Sequence, residues 1–249
     1  MQIKTVLISG AGIAGTTLAY WLNQYGIEPV VIERAPAFRG GGYMIDFWGL
    51  GYELADRMGI LPRLKSKGYF IEEVRYVDRS GKRIAGIGQD AIRSILGERY
   101  LSILRSDLAS QIYETTAGRT EMIFGDSIRS VEQCETGVRV TFERNGPRKF
   151  DLLIGADGLH STVRRIAFGN GPLERFLGYY AASFSVERYP KRDEAAYVSG
   201  DSICTTSIGR WPGWARNYRR RSRTAARRFR RAASRTWWRS SCSRIGAIC

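Results

Sequence analysis

Histidine is almost missing from this chain, with a single one, His160, in 249 residues. Cysteine is sparse and scattered: Cys134, Cys204, Cys242 and Cys249 show no metal-ligand spacing. The two shortages together argue against a zinc site, and free thiols fit a reducing cytoplasm, the compartment expected here. Long apolar runs are also absent. Nothing approaches the roughly 18 consecutive apolar residues of a membrane span, so no membrane partner is expected. A secretory signal is a poor reading of the N-terminus: Lys4 alone carries charge before the first apolar segment, glycines break that segment, and no small-residue cleavage site follows cleanly. Acidic residues are missing from one place only. From Gly209 onward there are thirteen arginines and neither a lysine nor an acid. Removing these thirteen from the 39 basic residues leaves 26 against 24 acids in the first 208, so thirteen of the fifteen net positive charges belong to the tail. The body gives no electrostatic reason to expect nucleic acid.

What is present is concentrated in Lys4 to Arg34. The apolar run Val6-Leu7-Ile8 leads into Gly10-Ala11-Gly12-Ile13-Ala14-Gly15. A helical pattern through Thr17, Leu18, Tyr20, Trp21 and Leu22 follows, and a second apolar run, Pro29 to Ile32, ends in Glu33. Strand, glycine turn, helix, strand and acid is the order of a dinucleotide site. Gly10 permits the tight turn, Gly12 lets backbone approach a pyrophosphate, and Gly15 lets the helix pack on the sheet. Amide N–H groups opening the helix, with the positive end of its dipole behind them, face the anion. Glu33 is placed to accept hydrogen bonds from ribose hydroxyls and would repel a 2′-phosphate, which favours the adenosine of FAD or NAD over that of NADP.

Further along, Gly40-Gly41-Gly42 forms a loop whose backbone could pass close to a flat ligand, or a flexible connection. Residues 51–61 read as a helix stopped by Gly59 and Pro62. Strands are expected at 72–77 and 82–87 around the turn Asp78-Arg79-Ser80-Gly81. The segment 100–105 leads into a helix capped by Ser106 or Asp107, with Arg105 at the junction, where a guanidinium could reach a phosphate or a flavin edge or simply sit at the surface. Three strands follow, at 127–131, 137–144 and 149–154. The last enters Gly155-Ala156-Asp157-Gly158, a second strand-to-helix turn with Ser161 or Thr162 starting the helix. Here Asp157 can approach a polyol or a pyrophosphate-bound water, while His160 reads as a loop residue. Residues 176–186 and 196–198 read as further strands.

These motifs resemble those of the class A, single-component FAD-dependent aromatic monooxygenases of the para-hydroxybenzoate hydroxylase fold, near the tetracycline-oxygenase-like branch. The marks are Gly10 to Gly15 with Glu33-Arg34, the Arg105-Ser106-Asp107-Leu108 junction, and Asp157-Gly158 running to Arg164. The resemblance implies an α/β fold: a Rossmann-like FAD-binding domain of residues 1–70 and 100–175, with a partial β-rich substrate domain of 71–99 and 176–208. It implies that Glu33 holds the adenosine ribose and that Arg34 lies over the adenine side. Arg105 would contact the ribityl and pyrophosphate region, Asp157 and Gly158 the pyrophosphate and NAD(P)H region, and Gly41 and Gly42 would lie near the isoalloxazine. It further implies that NAD(P)H and O2 are consumed and that a small aromatic substrate is hydroxylated, with the flavin supplying the reaction and no side-chain nucleophile needed. A flavin reductase or halogenase on the same fold is a second enzymatic possibility, although the Lys-bearing and Trp-rich halogenase signatures are absent.

The family pattern also includes a third motif of the form Gly-Asp-Ala-Ala-His, for which there is no match here. In its place stands an arginine-rich tail, 209–249, without sustained periodicity. The expectation is a frameshift near codons 200 to 209, a truncated substrate domain, weak FAD binding and little turnover. The alternatives are an inactive FAD-binding remnant, or an arm in which arginines interleaved with Trp211, Trp214, Phe229, Trp237 and Trp238 bind nucleic acid or an anionic surface. A frame change explains the composition more simply, so a nucleic-acid partner is disfavoured.

Overall fold

The structure, a computed structural model, describes residues 2–38, 43–68, 70–77, 82–169, 171 and 175, and the backbone of 195–199 and 204–207. The glycines Gly41 and Gly42, the turn 78–81, the expected strand 176–186 and the tail 209–249 lie outside the described residues. In chain order the elements begin β1 (Thr5–Ser9), α1 (Ile13–Gln24), β2 (Glu28–Glu33), β3 (Met44–Trp48), α2 (Gly49–Arg57), α3 (Leu61–Lys67), β4 (Glu73–Val77), β5 (Arg83–Gly88), α4 (Gln89–Leu96) and β6 (Tyr100–Leu104). They continue α5 (Arg105–Glu114), β7 (Glu121–Phe124), β8 (Ile128–Cys134), β9 (Gly137–Phe142), β10 (Arg148–Phe150), β11 (Leu152–Gly155), α6 (Thr162–Phe168), β12 (Ala195–Ser199) and β13 (Cys204–Ser207). The chain divides into two compact units, Met1–Gly41 with Arg105–Phe176, and Gly42–Leu104 with Leu177–Cys249.

The first unit is a three-layer α/β arrangement. Its central sheet is parallel throughout, in the order β11-β1-β2-β7. A continuous apolar strand suits a parallel sheet because both faces are covered, and Val6, Leu7 and Ile8 are each at most 1% exposed. Alternation then sends successive side chains to opposite layers. Val6, Ile8 and Val31 pack with Ala19, Leu18 and Leu22 of α1. Leu7, Val30 and Ile32 pack on the other face, against Val138, Val140, Phe142 and Phe150. Those four come from an antiparallel meander in the order β10-β9-β8. The strand expected over 149–154 is in fact two strands in two sheets. Its break is at Asp151, whose carboxylate accepts the Lys4 and Thr5 backbone N–H groups, each at 2.8 Å, and the Thr5 hydroxyl at 3.2 Å. The chain thus leaves the meander and enters the parallel sheet beside β1.

In the second unit β3 pairs antiparallel with β6, and a mixed sheet runs β13-β12-β4-β5. Pro62 opens α3 rather than ending α2, as its fixed φ and missing N–H allow at a helix start. Gly59, at φ +70°, makes the break between the two helices. Helix α4, absent from the sequence expectation, buries only Ile92, which packs with Ile71 and Tyr100.

Asp126, in the turn between β7 and β8, is a buried fastener. It accepts the N–H groups of Ser127, Arg144 and Asn145 and the Asn145 side-chain amide. Burial pushes its carboxyl up, but these donors outweigh that and hold it below the ordinary value. Its stabilisation is therefore complete above the unfolded value of about 3.9 and is lost as pH falls through the lowered folded value. Replacing Asp126 with Ala leaves three backbone donors without it and is expected to cost about 2 kcal/mol. Urea unfolding followed at pH 7 and pH 3 should show the penalty shrinking on acidification, and an equal penalty at both would contradict the assignment.

Candidate functional site at the carboxyl edge of the parallel sheet

The order in which strands are added reverses at β1. From β1 the chain passes through α1 to β2, on one side of β1, whereas β11 lies on the other side. A crevice outside the carboxyl ends of strands at such a switch point is where open α/β sheets bind ligands. Ser9 ends β1 in register with Gly155 of β11 and Ile32 of β2, so the glycine turn, Glu33 and the Asp157 turn all emerge at one edge.

The turn is held by contact with itself and with its neighbours. Gly10 has φ +108°, and its N–H donates to Ile32 O at 2.7 Å. A Cβ at Gly10 would lie 2.5 Å from Ala156 O, and one at Gly15 would overlap Gly10 O. Gly12 differs. It is the extended N-cap of α1, with φ −76° and no side-chain cap, and a Cβ there would meet nothing within 4 Å. The N–H groups of Gly12, Ile13, Ala14 and Gly15 are the four that an α-helix leaves without intrahelical acceptors. Among the described residues none of the four has an acceptor. The next N–H, that of Thr16, bonds Gly12 O at 3.0 Å.

The acids expected to meet a ligand are already engaged with the chain. Glu33, half-buried, accepts Ala11 N–H at 3.1 Å and Ala35 N–H at 2.8 Å, one on each carboxylate oxygen. Each oxygen keeps a lone pair for a further donor. Asp157 is more fully occupied: Oδ2 accepts Thr162 N–H at 2.8 Å, Val163 N–H at 3.2 Å and the Ser9 hydroxyl at 3.3 Å, while Oδ1 accepts the Ser161 hydroxyl. Ser161 is the N-cap of α6 as expected, its hydroxyl oxygen accepting Arg164 N–H at 3.0 Å. Gly158, at φ +76°, and His160 are exposed. Arg34 is exposed directly after β2. Arg105 is also exposed and is the first residue of α5, so Ser106 and Asp107 fall inside the first turn, where the Asp107 charge suits the helix dipole.

Three participants, Ser9, Ala11 and Ala35, are not evident from sequence. Ser9 and Asp157 are joined across 148 positions, and nothing local signals that pairing. Ala11 and Ala35 act through backbone N–H groups, which composition does not reveal. No group of three or more His, Cys, Asp or Glu residues able to hold a metal occurs among the described residues, and no helix there is long and apolar enough to cross a membrane.

The FAD binding domain family matches residues 4–168, which take in every element of this edge. The chain belongs to that family. It is 40% identical over 195 residues to an uncharacterised protein of Mycobacterium tuberculosis, covering 77% of this chain and 52% of that one. It is 34% identical over 192 residues to a flavin-dependent monooxygenase of Legionella longbeachae, covering 74% and 47%. Tetracycline destructase Tet(55) superposes with a TM-score of 0.59 at 34% identity, over 67% of this chain and 41% of that structure. The chain thus spans about half the length of the curated relatives it matches. The α/β FAD-binding fold expected from the glycine motif is the fold found. The residues fit the cofactor: a glycine faces open space where a Cβ would narrow the approach, and a row of unclaimed N–H donors lies beside it.

Gly10→Ala and Gly15→Ala should each destabilise the first unit by roughly 1–3 kcal/mol, because backbone must move to admit the methyl group. Gly12→Ala should leave the melting temperature within error. Thermal unfolding of the three variants checks the contrast.

Proposed function

We propose that the carboxyl edge of the parallel sheet binds the ADP moiety of FAD, and that the chain serves a flavin-dependent monooxygenase using NAD(P)H and O2 on a small aromatic or polycyclic substrate. The observation carrying this is the unclaimed row of N–H groups from Gly12 to Gly15, with open space over Gly12 and the Glu33 carboxylate at the end of the neighbouring strand. The relatives support the oxygenase half of the reading: a flavin-dependent monooxygenase and a tetracycline destructase each share 34% of matched residues.

In this reading the N–H groups of Gly12, Ile13, Ala14 and Gly15 donate to the pyrophosphate, with the helix dipole adding to the attraction. Glu33, fixed by Ala11 and Ala35, accepts from the ribose hydroxyls with its remaining lone pairs and disfavours a 2′-phosphate. Arg34 covers the adenine side, and Arg105 adds positive charge toward the pyrophosphate and ribityl chain. Asp157 shapes the pyrophosphate and NAD(P)H region by closing α6 and tying it to Ser9, and Gly158 leaves room beside it. Residues 1–70 and 100–175 form the cofactor part of the protein and 71–99 with 176–208 the substrate part. When bound, the flavin supplies electron uptake from NAD(P)H and oxygen transfer, while the protein supplies binding, orientation and exclusion of water.

Titration of the purified chain with FAD, read by flavin fluorescence and the visible spectrum, tests the binding claim. Saturable quenching and a shifted flavin band are expected. Gly12→Val should abolish both while leaving the melting temperature of the apoprotein unchanged. A wild-type chain indifferent to FAD would overturn the proposal, and substrate-dependent NADPH oxidation with a hydroxylated product separately tests the oxygenase claim.

A further inference from the structure

Thr16 follows the open N–H row directly in sequence and carries a buried hydroxyl. It is fully buried, with none of its surface exposed, in the first turn of α1. Its hydroxyl donates to Gly12 O at 2.9 Å, with a longer approach of 3.4 Å to Ile13 O. Its backbone N–H also donates to Gly12 O, at 3.0 Å. One carbonyl therefore takes two donors from one residue. That carbonyl belongs to the peptide unit whose opposite side is the N–H of Ile13, a member of the unclaimed row. A trans peptide is rigid and planar, so its C=O and N–H point in opposite directions. Holding Gly12 O into the helix fixes the Ile13 N–H outward. Two donors on the oxygen also polarise the amide and strengthen the N–H as a donor.

We propose that Thr16 is a positioning residue for the phosphate-binding turn: its buried hydroxyl locks the Gly12–Ile13 peptide so that the Ile13 N–H meets a phosphate oxygen of a bound dinucleotide. This inference rests on the reading that α1 receives the FAD pyrophosphate. A hydroxyl in a helix interior commonly bonds back to the preceding turn with no gain to the helix and sometimes with a slight cost. Here the peptide it grips lies at the N-cap, where residue 12 is a glycine with no side chain to restrain it. Gly12 tolerates a wide range of backbone angles. A restraint from inside the helix supplies what an absent Cβ does not, without filling the space over Gly12.

The test uses Thr16→Val, which keeps the branched shape and removes only the hydroxyl, and Thr16→Ser, which keeps the hydroxyl and removes the methyl group. Affinities for FAD, and for ADP by competition, are measured with the melting temperature of each apoprotein. Thr16→Val should weaken both ligands about three-fold, in line with a modest loss of donor strength and alignment, and leave the melting temperature unchanged. Thr16→Ser should bind as wild type even where the lost methyl lowers its melting temperature. Unchanged affinities in Thr16→Val would overturn the inference, as would affinity and melting temperature falling together in both variants, which marks a packing role. A wild-type chain that binds neither ligand would instead overturn the FAD reading and this inference with it.

Discussion

The fold of the first unit turns on one crossing of backbone over backbone. Gly15, in the first turn of α1, lies so close to the Gly10 carbonyl that no Cβ fits between them, and Gly10 in turn lies against the Ala156 carbonyl after β11. Three segments therefore stack at one point with only hydrogen atoms between them. That closeness lets α1 begin immediately over β1 and bury Val6, Ile8 and Ala19 in one cluster. It also brings the start of the helix to the carboxyl edge of the sheet. A methyl group at either glycine would separate the helix from the strand that positions it.

Around that crossing, carboxylates act mainly as internal fasteners. Asp151 grips the first residues of β1, Asp126 gathers the turn between β9 and β10, Asp157 closes α6, and Glu33 links the glycine turn to the segment after β2. Each accepts backbone N–H groups, which would otherwise be left unpaired in turns. For Asp151 the Thr5 and Lys4 N–H groups hold the carboxyl below its ordinary value, so that fastener, like Asp126, is closed at neutral pH and opens in acid. The same preference for amide donors explains why Glu33 and Asp157, which sequence reasoning assigned to ligand, already have protein partners.

What was legible in the sequence was what is local. Glycines at 10, 12 and 15 between an apolar run and a helical pattern, and an acid at 33, define strand, turn, helix and strand without reference to anything distant, and the sheet assembles as that motif requires. The strand expected at 149–154 was misread because its break at Asp151 is made by partners at Lys4 and Thr5, some 146 positions away, and periodicity does not register a change of sheet. From sequence Pro62 reads as a stop, although proline serves equally well to open a helix, and the structure has it in the first turn of α3. Helix α4 is not expected from sequence because it is only eight residues long, although Ile92, Ile95 and Leu96 follow a helical spacing.

Two helices start at this edge of the sheet, and their contrast bears on where an anion goes. At α6 the Asp157 carboxylate takes the N–H groups of Thr162 and Val163, and the Ser161 hydroxyl takes that of Arg164. The protein has supplied its own anion there, and a second negative group would be repelled. At α1 the cap position is a glycine with open space where a side chain would be, and no side chain closes it. Both starts carry the positive end of a helix dipole, but at α6 side chains already take three of the four donors, whereas at α1, among the described residues, none is taken. The two starts therefore differ in how they would receive an anion, though they emerge from neighbouring strands. Charge placement, rather than shape alone, distinguishes the two helix starts.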